Sequence, residues 1–158
     1  METSKQLSIF LENKPGRLAK VLSALAREKV NITAMTVMDS HEHSVLRVVT
    51  NDLDRSRQTV RALGAPCAET DVLVVEMRNH PGALAHVCEQ LAAEHINIDY
   101  CYCSAGGRNG RTMGIFKVSN TEKAMRLLGS NNAAARRRPE ARPVRDQRAY
   151  APRGNSIR

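Results

Sequence analysis

The chain has very few aromatic residues: of its 158 residues none is tryptophan, two are phenylalanine and three are tyrosine. Sheets that read single-stranded RNA stack the bases on exposed aromatic side chains. Tyr100 and Tyr102 form the only close pair, and no RNP-like aromatic motif is present. The sequence therefore argues against an RNA-reading sheet.

Long apolar runs are also absent. No segment approaches the roughly 20 residues that a membrane-spanning helix requires. The N-terminus leads into an alternating strand pattern and not into a signal-peptide core. Hydrophobic residues make up 42% of the chain and charged residues 25%, as in globular proteins. We expect a cytoplasmic protein that does not bind membranes.

Signatures of catalysis are missing as well. The sequence has no Gly-x-Ser-x-Gly elbow, no Walker loop and no dinucleotide fingerprint. Glu12 and Glu76 are carboxylates at the ends of strands in different parts of the chain, with nothing to tune their pKa. We therefore expect no enzyme, no catalytic residues and no cofactor.

The residues with the chemistry to bind a metal are poorly spaced for it. His41-Glu42-His43 falls in a predicted hairpin loop, and Cys101 and Cys103 alternate on one strand, but neither spacing matches a closed zinc site. We expect no metal site. The cysteines are expected to be buried, reduced thiols, with Cys88 in a core. The four are Cys67, Cys88, Cys101 and Cys103.

The net charge of +8 is unevenly distributed. Residues 130–158 contain eight arginines but only one glutamate and one aspartate. That composition, with recurring prolines, is typical of a disordered tail. Such a tail can bind nucleic acid weakly and without sequence preference, whereas the rest of the chain is nearly neutral.

The most informative feature that is present is an internal repeat. Asn13-Lys14-Pro15-Gly16-Arg17-Leu18 returns 66 residues later as Asn79-His80-Pro81-Gly82-Ala83-Leu84. The pair Asn31-Ile32 returns at the same offset as Asn97-Ile98. Further along, the offset is predicted to increase by three, so that Thr50-Asn51 corresponds to Ser119-Asn120.

Each copy has the pattern strand, helix, strand, strand, helix. The second helices are predicted at 54–63 and 121–128 and to end at Gly64 and Gly129. Residues 65–69 are the only room for a fourth strand in the first copy, and they run almost directly into the second. The sequence predicts an α+β protein of two tandem ferredoxin-like βαββαβ modules, with antiparallel sheets and helices on one face. The modules span 1–68 and 69–129, and the tail spans 130–158.

The second copy has no evident closing strand after Gly129. Three explanations are open: the second sheet lacks an edge strand, residues near Val144 supply a poor one, or a frameshift near residue 130 has produced a non-native end. A missing strand would leave an open edge that a partner chain can fill.

The repeated turn has the properties of an anion site. Proline suits the first position of a helix, and glycine permits a tight turn and the close approach of another group. Free N–H groups at a helix N-terminus attract a carboxylate. Asn13 and Asn79 can add a side-chain amide.

With both turns and both Asn-Ile pairs, residues 5–129 resemble the ACT domain family, and in particular proteins of two tandem ACT domains. The resemblance implies amino-acid binding at the first turn and at interfaces between domains. The residues carried over are Asn13, Lys14, Pro15, Gly16, Arg17, Leu18, Asn31 and Ile32 from the facing strand, and Asn79, His80, Pro81, Gly82, Ala83, Leu84, Asn97 and Ile98.

A purely structural interpretation is also open. Leu18, Leu84, Ile32 and Ile98 suit core positions, and Asn31 and Asn97 suit a strand start where they satisfy backbone groups. The resemblance favours an amino-acid sensor that associates at least as a homodimer and regulates an enzyme carried on a separate chain. The alternatives are a protein-interaction scaffold without a ligand, and weak nucleic-acid binding through the tail.

Overall fold

A computed structural model describes residues 1–39, 43–107 and 110–135 of the chain. Six strands and four helices alternate as in two copies of one module. In chain order they are β1 (Glu2–Glu12), α1 (Arg17–Arg27), β2 (Ile32–Asp39), β3 (His43–Thr50), α2 (Leu53–Ala62), β4 (Cys67–Arg78), α3 (Ala83–Ala93), β5 (Ile98–Gly107), β6 (Arg111–Val118) and α4 (Thr121–Ala135).

The strands form one antiparallel sheet in the order β2-β3-β1-β4-β6-β5. On β1, Leu7 and Ile9 pack with Leu25 of α1, and on β4, Leu73 packs with Leu91 of α3. Because side chains alternate along a strand and the β1–β4 ladder is unbroken, both helix pairs cover the same face of the sheet. The predicted fold class is confirmed.

Strand β4 belongs to both modules. Cys67 pairs with Ile9 of β1 and closes the first module, while Leu73 pairs with Phe116 of β6 and begins the second. The prediction that residues 65–69 contribute the fourth strand and run into the next module is confirmed for Cys67 onwards. The module boundary placed near residue 68 falls inside this strand.

Strand β1 likewise supplies the closing strand of the second module. Its first residues pair with the second half of β4, Glu2 opposite Val74 and Ser4 opposite Val72. Met1 packs against the core of the second module. The closing strand that was sought after Gly129 is therefore the N-terminus of the chain. Of the three explanations, a missing strand is wrong, because β4 lies between β1 and β6. Val144 lies outside the described residues.

The β1–β4 ladder has a local two-fold symmetry. Lys5 pairs with Asp71, the residue 66 positions later in the repeat, so the ladder is centred on this pair. Lys5 Nζ lies 2.7 Å from Asp71 Oδ1. The second copy of the module is thus rotated onto the first about an axis through the middle of the sheet.

The offset between the copies increases by two residues after the hairpin, so the predicted increase of three is wrong. The N–H of Asn31 donates to Asn51 Oδ1 at 2.8 Å, and the N–H of Asn97 donates to Ser119 Oγ at 3.0 Å. Asn51 therefore corresponds to Ser119. An odd offset would have moved the core residues of β6 to the opposite face of the sheet.

The two second helices end differently. Helix α2 ends at Ala62 and Gly64 follows with φ 71°, as predicted. Helix α4 continues through Gly129 to Ala135, so the prediction that it ends at Gly129 is wrong, and residues 130–135 are helical. The remaining tail residues, 136–158, lie outside the described part of the chain. None of the described helices is long and apolar enough to cross a membrane.

The face of the sheet without helices has a core of its own. Ala34 of β2 and Val49 of β3 pack in one cluster with Val72, Val74 and Ile115. The edge strands β2 and β5, at opposite ends of the strand order, have Cα atoms within 8 Å of each other. The sheet is therefore curled around this second core, and its two edges approach each other.

Removing residues 2–4 should destabilise the second module through the loss of its closing strand. We expect the free energy of unfolding to fall by about 2–3 kcal/mol, because each ladder hydrogen bond contributes about 1 kcal/mol net. Urea denaturation followed by circular dichroism measures the change. An unchanged midpoint and slope would show that the N-terminus does not close the second sheet.

Candidate functional site

The repeated turn is built around a glycine in the left-handed conformation. Gly16 has φ 83° and Gly82 has φ 87°, and each is the N-cap of its helix. Helices α1 and α3 begin at Arg17 and Ala83, so Pro15 and Pro81 precede the cap and the prediction of proline as the first helical residue is wrong. These φ values explain why both positions are glycine, since only glycine adopts this conformation without strain.

Backbone N–H groups remain available at both helix N-termini. The first helical bond of α1 runs from the Lys20 N–H to Gly16 O at 2.9 Å, and the Arg17 N–H donates to Lys14 O at 3.3 Å. The N–H groups of Leu18 and Ala19 precede the helical ladder. Gly16, the N-cap residue, has no side chain that could accept from these N–H groups.

The second turn repeats this arrangement. The His86 N–H donates to Gly82 O at 2.9 Å and the Ala83 N–H to His80 O at 3.2 Å, again with no side-chain cap. Among residues 1–39, 43–107 and 110–135, a Cβ atom added at either cap glycine would meet nothing within 4 Å. Within this part of the chain, both turns leave the space beside the first helix N–H groups open, as an anion requires.

The two turns differ in charge. In the first turn, Glu12 Oε2 forms ion pairs with Arg17 Nη2 at 2.5 Å and with Lys14 Nζ at 3.4 Å. Hydrogen bonds from Arg17 and Lys14 hold the pKa of the Glu12 carboxyl below its usual value. In the second, His80 Nδ1 lies 2.8 Å from Pro81 O. The first turn thus has one cation more than it has carboxylates.

The side chains around the turns are not equivalent either. Asn13 and Asn79 are both exposed, and the Asn79 N–H donates to Gly110 O at 2.7 Å, which ties the second turn to the β5–β6 hairpin. Leu18 packs against the first core, whereas Leu84 is 38% exposed. The prediction of Leu84 as a core residue is wrong.

The Asn-Ile pairs lie far from the turns of their own modules. Ile32 pairs with Thr50, while the first turn follows Glu12, which pairs with His43. The seven residue-to-residue steps from His43 to Thr50 span about 23 Å. Asn31, expected on a strand facing the turn, is therefore at the other end of the module.

The second Asn-Ile pair is placed in the same way. Ile98 pairs with Val118, at the opposite end of the β5–β6 ladder from Arg111 and the second turn. The Asn97 side chain donates to Asp99 Oδ1 at 3.0 Å. Ile32 and Ile98 are partly buried against the two cores, as the structural interpretation predicted.

The two turns are at opposite ends of the sheet. Glu2 lies opposite Val74, so the path from Glu12 back to Glu2 and on to Arg78 covers about 45 Å. The two turns of one chain therefore do not lie together.

The face of the sheet without helices carries a polar cluster that was not predicted from the sequence. It consists of Gln6, Arg47, Tyr100 and Tyr102, and we call it the inter-module cluster. In the sequence, Gln6 and Arg47 occupy the polar positions of alternating strands, which indicates exposure. Only the curling of the sheet brings them to the tyrosines, so no local signal identifies them.

The cysteines depart from the prediction of buried thiols. Cys101 and Cys103 are exposed, and Cys67 and Cys88 are partly buried. Partial burial raises the pKa of the Cys88 and Cys103 thiols. Across residues 1–39, 43–107 and 110–135, no three His, Cys, Asp or Glu side chains are arranged to hold a metal ion. His41 and Glu42 fall outside these ranges.

Fold and turns together define a tandem ferredoxin-like protein with an uncapped helix N-terminus in each half. The family model of the ACT domain pair matches residues 2–134. The chain therefore belongs to the ACT domain pair family. No curated protein matches the sequence.

Solved structures share this architecture. A protein from Bacteroides thetaiotaomicron is 35% identical, with 82% of this chain and 89% of that chain covered and a TM-score of 0.77. The regulatory subunit of aspartate kinase from Thermus thermophilus, in its ligand-free form, is 16% identical over 82% and 93% of the two chains, with a TM-score of 0.59. The aspartokinase alpha and beta subunits are 20% identical over 84% and 98%, with a TM-score of 0.55.

Alanine substitutions should change the unfolding free energy in opposite directions at the cap glycines and at a glycine inside a helix. Gly16→Ala and Gly82→Ala each force alanine into the left-handed region and should cost about 1–2 kcal/mol of unfolding free energy. Gly129→Ala, inside α4, should stabilise the protein by about 0.5–1 kcal/mol. Thermal and urea unfolding measure all three, and a stabilised cap variant would contradict the assigned turn conformation.

Removing the Arg17 charge should raise the pKa of Glu12 towards its ordinary value. In the native protein the carboxylate is favoured, so this contribution to stability is present at neutral pH and is lost as the pH falls through the lowered pKa. Carboxyl NMR titration of Arg17→Met measures the shift, with Arg27→Met in the last turn of α1 as the control. Equal Glu12 titrations in both variants would exclude the ion pair.

Proposed function

We propose that this protein binds a small amino acid at one or both repeated turns and has a regulatory, non-catalytic role. The observation that carries the proposal is the uncapped helix N-terminus, present twice with the same backbone geometry. The Leu18 and Ala19 N–H groups would donate to the ligand carboxylate, and so would those of Leu84 and Ala85.

The rest of each turn supports selectivity for an amino acid. Asn13 and Asn79 are exposed beside the cap and carry amides for the ligand's polar groups. Lys14 and Arg17 of the first turn correspond to His80 and Ala83 of the second, and Arg78 occupies the position of Glu12, so the two turns differ in the arrangement of their charges. The two turns are expected to differ in affinity.

A partner chain would cover a ligand bound at either turn, since the two turns of one chain are about 45 Å apart along the sheet and cannot close on one ligand. Strand β2 offers a surface for a second copy. It is an edge strand that ends beside the first turn, and the large apolar side chains around it are exposed. They are Phe10, Met35, Val37 and Met38.

We infer a homodimer formed through this edge, with each first turn close to the second copy. Antiparallel pairing of two β2 strands would extend the sheet and bury Val37 and Met38, which are 43% and 48% exposed. Ligand occupancy would then change the arrangement of the two chains, to the extent that the ligand binds one arrangement more tightly. The regulated enzyme would be a separate chain, an idea supported by the fold shared with aspartate kinase regulatory subunits.

A lysine on the β2 edge tests the dimer. Val37→Lys should convert the protein to a monomer in sedimentation experiments, because a charge buried in an apolar interface is unfavourable. Cys103→Lys, at the equivalent position on the other edge strand, should leave the dimer intact. Dimers in both variants would rule out the β2 interface.

A thermal-shift screen against the twenty amino acids tests ligand binding. A ligand at about 100 times its dissociation constant should add about 2.7 kcal/mol to the unfolding free energy. Gly16→Asp and Gly82→Asp place a carboxylate beside the helix N-terminus and should abolish binding at their own turn. Gly16→Asn and Gly82→Asn introduce similar strain without the charge and should retain it.

Two results would contradict the proposal. If no amino acid stabilises the protein, the sensor function is wrong and an interaction scaffold is favoured. If a ligand binds equally well to the Asp variants, it does not bind at the turns.

A further inference from the structure

The helix layer that covers the sheet differs in charge between the two modules. Helices α1 and α2 of the first module contain six lysines and arginines and one acidic residue. Helices α3 and α4 of the second module contain two basic and two acidic residues. Because the modules are two copies of one fold, the fold itself does not require the excess of cations on the first.

Four cations of the first module are exposed and form no ion pair within the described ranges of the chain. We call them the basic face, and they are Lys20 and Arg27 on α1, Lys29 just after α1, and Arg61 on α2. The equivalent residues of the second module are His86, Ala93, His95 and Gly129. The basic face is therefore specific to the first module.

The basic face lies on the outer surface of two adjacent helices. Lys20 and Arg27 are exposed about two turns apart on α1, a distance of about 10 Å along the axis. Helix α2 packs beside α1, and Arg55 Nη1 donates to Glu28 O at 3.3 Å, which holds the start of α2 beside the end of α1. The axes of packed helices are about 8–10 Å apart, so the basic face extends over about 10 Å in each direction.

Lys29 occupies a strained backbone conformation. Its φ is 58°, in the left-handed region that glycine adopts without strain and lysine does not. The Lys29 N–H donates to Ala26 O at 3.0 Å, where α1 ends. Glycine would form the same backbone hydrogen bond with less strain, so the stability of the helix end does not explain a lysine here.

The composition of this surface distinguishes between classes of anionic partner. Of the large apolar side chains that are exposed in the described part of the chain, none belongs to α1 or α2. Interfaces between proteins are depleted of lysine and use aromatic anchors, and helices that bind membrane surfaces insert apolar side chains. Interfaces with duplex nucleic acid are polar and strongly positive. The basic face therefore suits a duplex better than an acidic protein or a membrane.

We propose that the basic face binds the phosphate backbone of double-stranded nucleic acid without sequence preference, an activity beyond amino-acid binding. Duplex DNA has one negative charge per about 1.7 Å of its axis, so about six phosphates lie within 10 Å and can pair with all four cations. Contacts from lysine and arginine to phosphate carry no sequence information. Neither α1 nor α2 has an aromatic residue on which the bases of a single strand could stack.

The tail supports a long polyanion as the partner. Residues 130–158 contain eight arginines, a second group of cations in the same chain. A duplex is long enough to contact the basic face and tail arginines together, whereas a small anion is not.

Fluorescence anisotropy with a labelled DNA duplex tests the proposal on the full chain over a range of salt concentrations. Arg27→Gln should weaken binding about fivefold and reduce the slope of log affinity against log salt by about 1, because one phosphate contact is lost. Arg126→Gln removes an exposed arginine from α4 of the second module and should leave both quantities unchanged.

Lys29→Gly separates binding from stability. Glycine relieves the strained φ, so the midpoint of thermal unfolding should rise, while duplex binding should weaken about fivefold through the lost charge. His95 has φ 54° at the equivalent position of the second module. His95→Gly should therefore raise the midpoint as well and leave duplex binding unchanged.

Four results would overturn the proposal. They are no binding of the duplex, different affinities for two duplexes of unrelated sequence, equal losses of affinity in Arg27→Gln and Arg126→Gln, and unchanged duplex affinity in Lys29→Gly. Equal losses would mean that only the net charge of the chain attracts DNA. Binding of polyglutamate or of phosphatidylserine vesicles without binding of the duplex would point to an acidic protein or a membrane as the partner.

Discussion

The structure depends on the antiparallel pairing of β1 with β4. Each strand is long enough to serve two modules: one half lies within its own ferredoxin-like unit and the other half closes the neighbouring unit. The Lys5–Asp71 pair marks the centre of this ladder. Each small module would lack a strand and part of its core if the other were absent, which couples the two halves thermodynamically.

The geometry of this pairing also fixes where the two turns lie. Because the strands run in opposite directions, the turns are at opposite ends of the sheet. The curling of the same sheet brings Arg47 of one module over Tyr100 of the other. The pairing thus separates the two turns, while the curling of the sheet joins the two modules through the inter-module cluster.

Much of the fold could be predicted because the information is local or repeated. The alternation of Leu7, Ile9 and Leu11, and the turn motif seen twice, were sufficient for the two modules and their helix-covered face. The fourth strand of the second module could not be found by looking downstream, since Met1 and the residues after it supply it from the start of the chain. Local periodicity does not reveal which distant segments pair in the sheet.

The candidate sites divide in the same way, into residues with a local sequence signal and residues whose placement depends on pairing between distant strands. The glycines at 16 and 82 marked both turns, because the left-handed backbone that they adopt is almost specific to glycine. The grouping of Asn31 with that turn could not be checked without the strand register, which places it at the far end of the module. Gln6 and Arg47 could not be identified from the sequence, because their polar positions in alternating strands predict exposure to solvent. Only the curling of the sheet brings them to the tyrosines.

Native-state hydrogen exchange by NMR tests the central claim most directly. The hydrogen-bonded amides of β1 from Glu2 to Ile9 and those of β4 from Cys67 to Val74 should exchange only through global unfolding, with one common free energy of opening. If the amides of Glu2–Ser4 exchange freely while those of β4 stay protected, or if the two modules open with separate free energies, the shared ladder does not hold the protein together.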